Sequence, residues 1–121
     1  MRVLIVEDET KLAEYLRKGL AENGYVVDVA HDGIDGKHLA IHGEYDLVVL
    51  DVMLPDGNGF EILAGMRRHA RFALVPVIVL TALNSAEDIR RGLDLGADGY
   101  MTKPYSKDLL VDTIRQVLRL A

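Results

Sequence analysis

The sequence predicts an α/β fold, a five-stranded parallel sheet doubly wound into three α/β/α layers, and three observations predict it. Five short apolar runs are bounded by turn residues, segments with helical spacing separate them, and glycines and serines stand where such helices end and begin. The runs are Val3 to Val6, Tyr25 to Ala30, Leu47 to Leu50, Val77 to Leu80 and the weaker Gly99 to Met101. They are nearly continuous in apolar residues. Strands of that kind are covered on both faces, as a parallel sheet is when right-handed helical crossovers lie on its two sides.

Taken in order, the helical segments agree with this plan. Leu12, Leu16 and Leu20 mark the first, Ile34 through Ile41 the second, and Phe60, Leu63 and Met66 the third. Ala86, Ile89 and Leu93 mark the fourth; Leu110, Ile114, Val117 and Leu118 mark the fifth. Gly24, Gly43 and Gly96 follow helical patterns and are expected as left-handed caps, while Ser85 and Ser106 are expected as N-caps. No linker, repeat or low-complexity segment interrupts the pattern, so residues 1–121 are expected to form one domain.

Composition narrows the functions available. Half of the 121 residues are apolar, enough for one substantial core. No apolar run approaches the roughly 20 residues needed to span a bilayer, and "MRVLIVED" turns acidic too early for a secretory signal, so a soluble cytoplasmic protein is expected. The absence of cysteine excludes disulfides and thiolate metal sites. Fourteen basic against nineteen acidic residues give a net charge of −5, so no direct nucleic-acid binding is expected of this domain.

The chemistry gathers where the strands end. In an open parallel sheet, ligands bind beyond the carboxyl ends of the strands, near the point where strand order reverses. The first strand ends in Glu7-Asp8, the third in Asp51 and the fourth in Thr81, and Lys103-Pro104 follows the fifth. Three clustered carboxylates repel one another unless a cation sits among them, and Mg²⁺ suits a few oxygen ligands completed by water and phosphate. A carboxylate nucleophile, a divalent ion, an ammonium and a hydroxyl are the parts that phosphoryl transfer needs. Each residue alone also fits a plainer role: Asp51 as a turn former, Thr81 as a helix cap, Lys103 as a solvated charge.

Along its whole length the chain resembles the receiver domain of two-component response regulators, with their flavodoxin-like/CheY-like (βα)5 fold. "LIVEDE" is similar to that family's acidic pair, "VLDVMLPDGNG" to its phosphoacceptor loop, "VIVLTA" to the segment of its switch threonine, and "GADGYMTKP" to that of its switch aromatic and lysine. The resemblance implies that Asp51 accepts a phosphoryl group from a sensor histidine kinase, a phosphotransfer protein or a small phosphodonor. It implies Mg²⁺ held by Asp8, Asp51 and the Met53 carbonyl, with Glu7 acting mainly through water. It implies further that Thr81 and Lys103 contact the phosphoryl oxygens, that Tyr100 turns inward as Thr81 moves, that Ala82 leaves access to the site, and that Lys103-Pro104 is a cis peptide. The output surface would lie around the fourth helix, fifth strand and fifth helix. The only catalysis implied is of the domain's own phosphoryl transfer and dephosphorylation.

Other readings fit less well. A phosphatase of the haloacid dehalogenase type needs a second Asp where Met53 stands; a flavodoxin-like flavin carrier would find "EDE" at its phosphate loop; and no GxxxxGK[ST] run exists. A degenerate receiver that only binds partners would not be expected to keep Glu7, Asp8, Asp51, Thr81 and Lys103 together. His38 and His42, four apart on the second helix, have spacing that could bind a metal, but no third ligand is obvious and a solvated pair fits better. Regulators of the OmpR type dimerise through charged residues on the output face. Here Arg90 and Arg91 are present, but Gly99, Leu109 and Thr113 occupy matching positions, so a homodimer formed on phosphorylation would use a depleted charged face. A free-standing receiver, the receiver of a hybrid kinase and part of a longer regulator all fit. Met53 and Leu83, apolar where a polar side chain would guide a hydrolytic water, predict a long-lived phosphoryl state.

Overall fold

The structure, a computed structural model, describes residues 1–69, 72–103 and 106–120. Along the chain run β1 (Arg2–Val6), α1 (Thr10–Glu22), β2 (Val26–Ala30), α2 (Gly33–His42), β3 (Leu47–Leu50), the two-residue strands β4 (Met53–Leu54) and β5 (Gly57–Asn58), and α3 (Gly59–Arg68). They are followed by β6 (Val77–Thr81), α4 (Ala86–Asp94), β7 (Gly99–Thr102) and α5 (Lys107–Leu120). Five strands form one parallel sheet in the order β2-β1-β3-β6-β7, and β4 and β5 pair separately as an antiparallel hairpin. The order reverses between β1 and β3. Those are the two strands that deliver the acidic residues.

Alternation along each strand sends side chains to opposite faces and makes two cores from one sheet. Val3 and Ile5 of β1, Val49 of β3 and Ile78 and Leu80 of β6 pack with Leu16, Leu20, Leu110 and Ile114 of α1 and α5. Leu4, Val6, Val48, Leu50, Val77 and Val79 face the other way, onto Ala40 of α2 and Phe60, Leu63 and Met66 of α3. Burying each of these larger side chains contributes about 1.5–3 kcal/mol, and together they fix the frame that holds the charged ends of the strands.

The expected caps are mostly present. Gly24 and Gly96 have φ of +89° and +98°, and Ser85 and Ser106 accept hydrogen bonds from the amides of Asp88 and Leu109. Gly43 differs, with an extended backbone at φ −85° and ψ 171°. Glycine is needed there for space: a Cβ would lie 2.4 Å from the Tyr45 ring and 2.7 Å from the Leu39 carbonyl. The expected Lys103-Pro104 cis peptide lies outside the described residues.

Two helices differ from the expected burial. Ile34 opens α2 at 72% exposure, and the small residues Gly36 and Ala40 form the buried side instead. A Cβ on Gly36 would come 2.7 Å from Val6, so α2 sits too close to β1 for a larger residue. In α4 only Gly92 is buried, while Leu93 is half exposed and Ile89 partly covered. A Cβ on Gly92 would meet the Tyr100 ring at 2.9 Å.

Candidate phosphoacceptor and cation site

Beyond the carboxyl ends of β1 and β3, the backbone places the acidic residues by continuing the sheet for one more bond. The Asp51 amide donates to the Val6 carbonyl at 2.9 Å, and the Glu7 amide donates to that of Ala30 at 2.9 Å. Gly59 closes the site from beneath, since a Cβ there would stand 2.5 Å from the Asp51 carbonyl oxygen. Glu7, Asp51 and Thr81 are all nearly or wholly buried, at 2%, 3% and 0% exposure, while Asp8 faces solvent. Glu7, Asp8 and Asp51 each offer a carboxylate oxygen within 4.8 Å of the others.

Both Asp51 oxygens are engaged. Oδ1 accepts from the Met53 amide at 2.9 Å, and Oδ2 accepts from Lys103 Nζ at 2.8 Å. Lys103 also lies 2.6 Å from Glu7 Oε1 and 3.5 Å from Glu9 Oε2. Burial pulls the Lys103 ammonium down, but the Asp51 and Glu7 carboxylates outweigh it and hold its pKa above the ordinary range. For Glu7 burial wins: its carboxyl is raised from 4.5 to about 7, against the opposing pull of Lys103 and the Glu9 amide and with a further push from Asp51.

Glu7 Oε1 is close to the ammonium yet lacks an aligned donor, so a buried carboxylate oxygen is left without a hydrogen bond. One ammonium faces the carboxyl groups of Glu7, Asp8, Glu9 and Asp51, so negative charge stays in excess even when Glu7 holds its proton. A hard divalent cation with oxygen ligands fits this deficit, and the residues present therefore suit Mg²⁺.

Thr81, at the end of β6, accepts from the Leu83 amide at 3.4 Å, and its carbonyl accepts from the Lys103 amide at 2.9 Å. Tyr100 reaches back from β7, its hydroxyl donating to the Leu83 carbonyl at 2.8 Å. Leu83 thus bonds the expected switch threonine through one backbone group and the expected switch tyrosine through another.

The structure brings Glu7, Asp8, Asp51 and Lys103 directly together and sets Thr81 beside them through the Lys103 amide. Sequence reasoning missed Glu9, whose carboxylate joins the ion cluster, and the Met53 amide. It also missed the β4–β5 hairpin, although Pro55-Asp56-Gly57 carries turn chemistry. The His38 and His42 rings lie in contact but tilted, their centroids 4.6 Å apart and their planes at 46°, and the metal-capable cluster among the described residues does not include them. On the expected output face, Asp98 pairs with Arg67 at 3.0 Å and Arg91 lies over the Phe60 ring at 4.8 Å, so two of its charges are already engaged within the chain.

A doubly wound sheet with an acidic cluster, a buried aspartate and a lysine at its switch point defines a phosphoacceptor signalling domain. Comparison with known proteins gives the same class. The family model for the response regulator receiver domain matches residues 3–115, and this chain belongs to that family. It is 50% identical over 119 residues to the transcriptional regulatory protein CusR of Escherichia coli K12, covering 98% of this chain and 52% of that protein. It is 48% identical over 120 residues to the transcriptional activator protein IrlR of Burkholderia pseudomallei, covering 98% and 51%. Among solved structures, the receiver domain of the Francisella response regulator 1452 superposes with a TM-score of 0.91 at 34% identity, over 98% of this chain and 97% of that one. The chain spans about half the length of the curated relatives it matches. It is a receiver domain of the two-component response regulators, a signalling domain whose family role is to accept a phosphoryl group.

Proposed function

We propose that Asp51 is the phosphoacceptor and that a sensor histidine kinase or phosphotransfer protein is its donor. The observation that carries this reading is a buried aspartate oriented by the Met53 amide and Lys103 at the point where the strand order reverses. An Asp51 carboxylate oxygen attacks phosphorus and forms an O–P bond as the donor's P–N bond, or the P–O bond of acetyl phosphate, breaks and the leaving group departs with its electron pair. Glu7, Asp8, Asp51 and the Met53 carbonyl would hold Mg²⁺, which when bound supplies positive charge to the phosphoryl oxygens. Lys103 turns from its carboxylate partners to the new phosphoryl charge. The Thr81 hydroxyl donates to a phosphoryl oxygen, and that movement reaches Tyr100 through Leu83. The domain acts catalytically only on its own phosphorylation and dephosphorylation.

The output surface in this reading is α4, β7 and α5, where Leu93 and Leu109 are about half exposed at 49% and 53%. Two copies associate there after phosphorylation. The named relatives are transcriptional regulators, which supports a role as the cytoplasmic receiver of such a regulator, DNA binding being left to another domain. No described helix is long and apolar enough to cross a membrane. Mg²⁺ with acetyl phosphate is expected to add one acid-labile, base-labile acyl phosphate to the chain. EDTA and Asp51→Asn should each abolish it, and an acyl phosphate persisting in Asp51→Asn would refute the assignment.

A further inference from the structure

Asp56 stands at the tip of the β4–β5 hairpin, exposed to solvent, yet its carboxylate is fully committed. Oδ1 accepts from the Gly33 amide at 2.6 Å and Oδ2 from the Ile34 amide at 2.9 Å. These are the first two amides of α2, which have no partner within their own helix. The third, Asp35, donates to the side chain of Asp32 at 2.8 Å. The cap of α2 is therefore divided between a local residue and one more than twenty positions away. The same two amides hold the Asp56 carboxyl below the usual carboxylate range.

The hairpin that Asp56 fastens has only two residues in each strand, Met53 opposite Asn58 and Leu54 opposite Gly57. A two-stranded ribbon of that size has little stability of its own. Its base is fixed to α3, where the Asn58 side chain accepts from the Phe60 amide at 2.8 Å. Its tip is fixed to α2 by Asp56. Met53, whose amide orients Asp51, sits at the base opposite Asn58, in the strand that leads to that tip.

The geometry points to Asp56 as a positioning residue: by pinning the hairpin to the start of α2, it holds the Met53 backbone in place for Asp51 and for the cation. This rests on the phosphoacceptor reading for its functional consequence, but not for its structural one. Supporting residues of this kind typically alter cation affinity by about 10-fold or more when removed.

The test compares Asp56→Ala with Asp32→Ala, which removes the other half of the same helix cap. In the cation-free protein, amide hydrogen exchange at Met53 should quicken in Asp56→Ala and stay unchanged in Asp32→Ala, while the start of α2 loosens in both. Calorimetric titration with Mg²⁺ should show affinity weakened by about 10-fold in Asp56→Ala alone. If Asp56→Ala does not fold, Asp56→Asn, which keeps one acceptor oxygen, should show a smaller loss in the same direction. Unchanged Met53 exchange and Mg²⁺ affinity in the Asp56 variant, or equal losses in both variants, would overturn the proposal. Failure of acetyl phosphate to modify Asp51 in the unaltered chain would instead overturn the phosphoacceptor reading and leave the exchange result standing.

Discussion

Glu7 makes the stability of this domain depend on pH in an unusual direction. Its carboxyl is raised from 4.5 to about 7, chiefly by burial. Between those two pH values the folded chain keeps a proton that the unfolded chain has lost, so the contribution of Glu7 to stability is fully present below about 4.5 and is lost as pH rises through about 7. At about 1.4 kcal/mol per pH unit, that displacement is worth on the order of 3 kcal/mol, a large share of the stability of a small domain. The perturbation is Glu7→Gln, which keeps the shape and removes the titration. Urea unfolding in EDTA at pH values from 4.5 to 8 gives both stability curves. The wild type should lose about 3 kcal/mol relative to the variant as pH rises, because only the wild type must ionise a buried carboxyl. Millimolar Mg²⁺ should shrink the difference, since the cation binds the ionised form and displaces the proton. Parallel curves in EDTA would refute the reasoning.

Three further outcomes are expected. Thr81→Ala and Lys103→Ala should leave modification of Asp51 detectable but uncouple it from the output face; equal beryllofluoride-induced shifts of the Tyr100 resonances in wild type and Thr81→Ala would contradict this. Met53→Asn with Leu83→Glu should speed loss of the phosphoryl group, followed as phosphate release after the donor is removed. Met53 is 53% exposed and its change should be nearly neutral for stability, whereas Leu83 is partly buried against the core on the α2–α3 side of the sheet, so its change should cost stability. Tyr45, with its hydroxyl on Asp28 at 2.8 Å, has a pKa pushed up to about 12 by burial and that hydrogen bond. Its contribution to stability should hold below pH 10 and fall as pH rises through about 12; Tyr45→Phe should remove a late-titrating tyrosine from an alkaline absorbance titration and cost about 1 kcal/mol at neutral pH.

The five main strands were legible because side chains buried on both faces leave continuous apolar runs. Their ends were less so, since backbone pairing continues where polar side chains begin: Arg2 pairs with Val26 and Thr81 with Thr102. The β4–β5 hairpin was invisible to periodicity because two residues cannot display a period. In α2 the expected apolar stripe gave way to close approach, with Gly36 and Ala40 against β1 and Ile34 turned outward. At the site, the carboxylates were legible as charges closing apolar runs. The convergence of Lys103 on Asp51, Glu7 and Glu9 was only partly so, because Glu9 reads locally as one more acidic residue before a helix.

With a single buried residue, Gly92, α4 adds little to the cohesion of the fold. Most substitutions along it will therefore leave folding intact, while changes to the apolar residues of the strands beneath Asp51 and Lys103 will not. In the proposed reading, where α4 belongs to the output surface, the phosphoacceptor chemistry and the means of attachment differ in mutational tolerance. The outward residues of α4 could then be rewritten to suit new partners, one neutral step at a time, without disturbing the strands that hold Asp51.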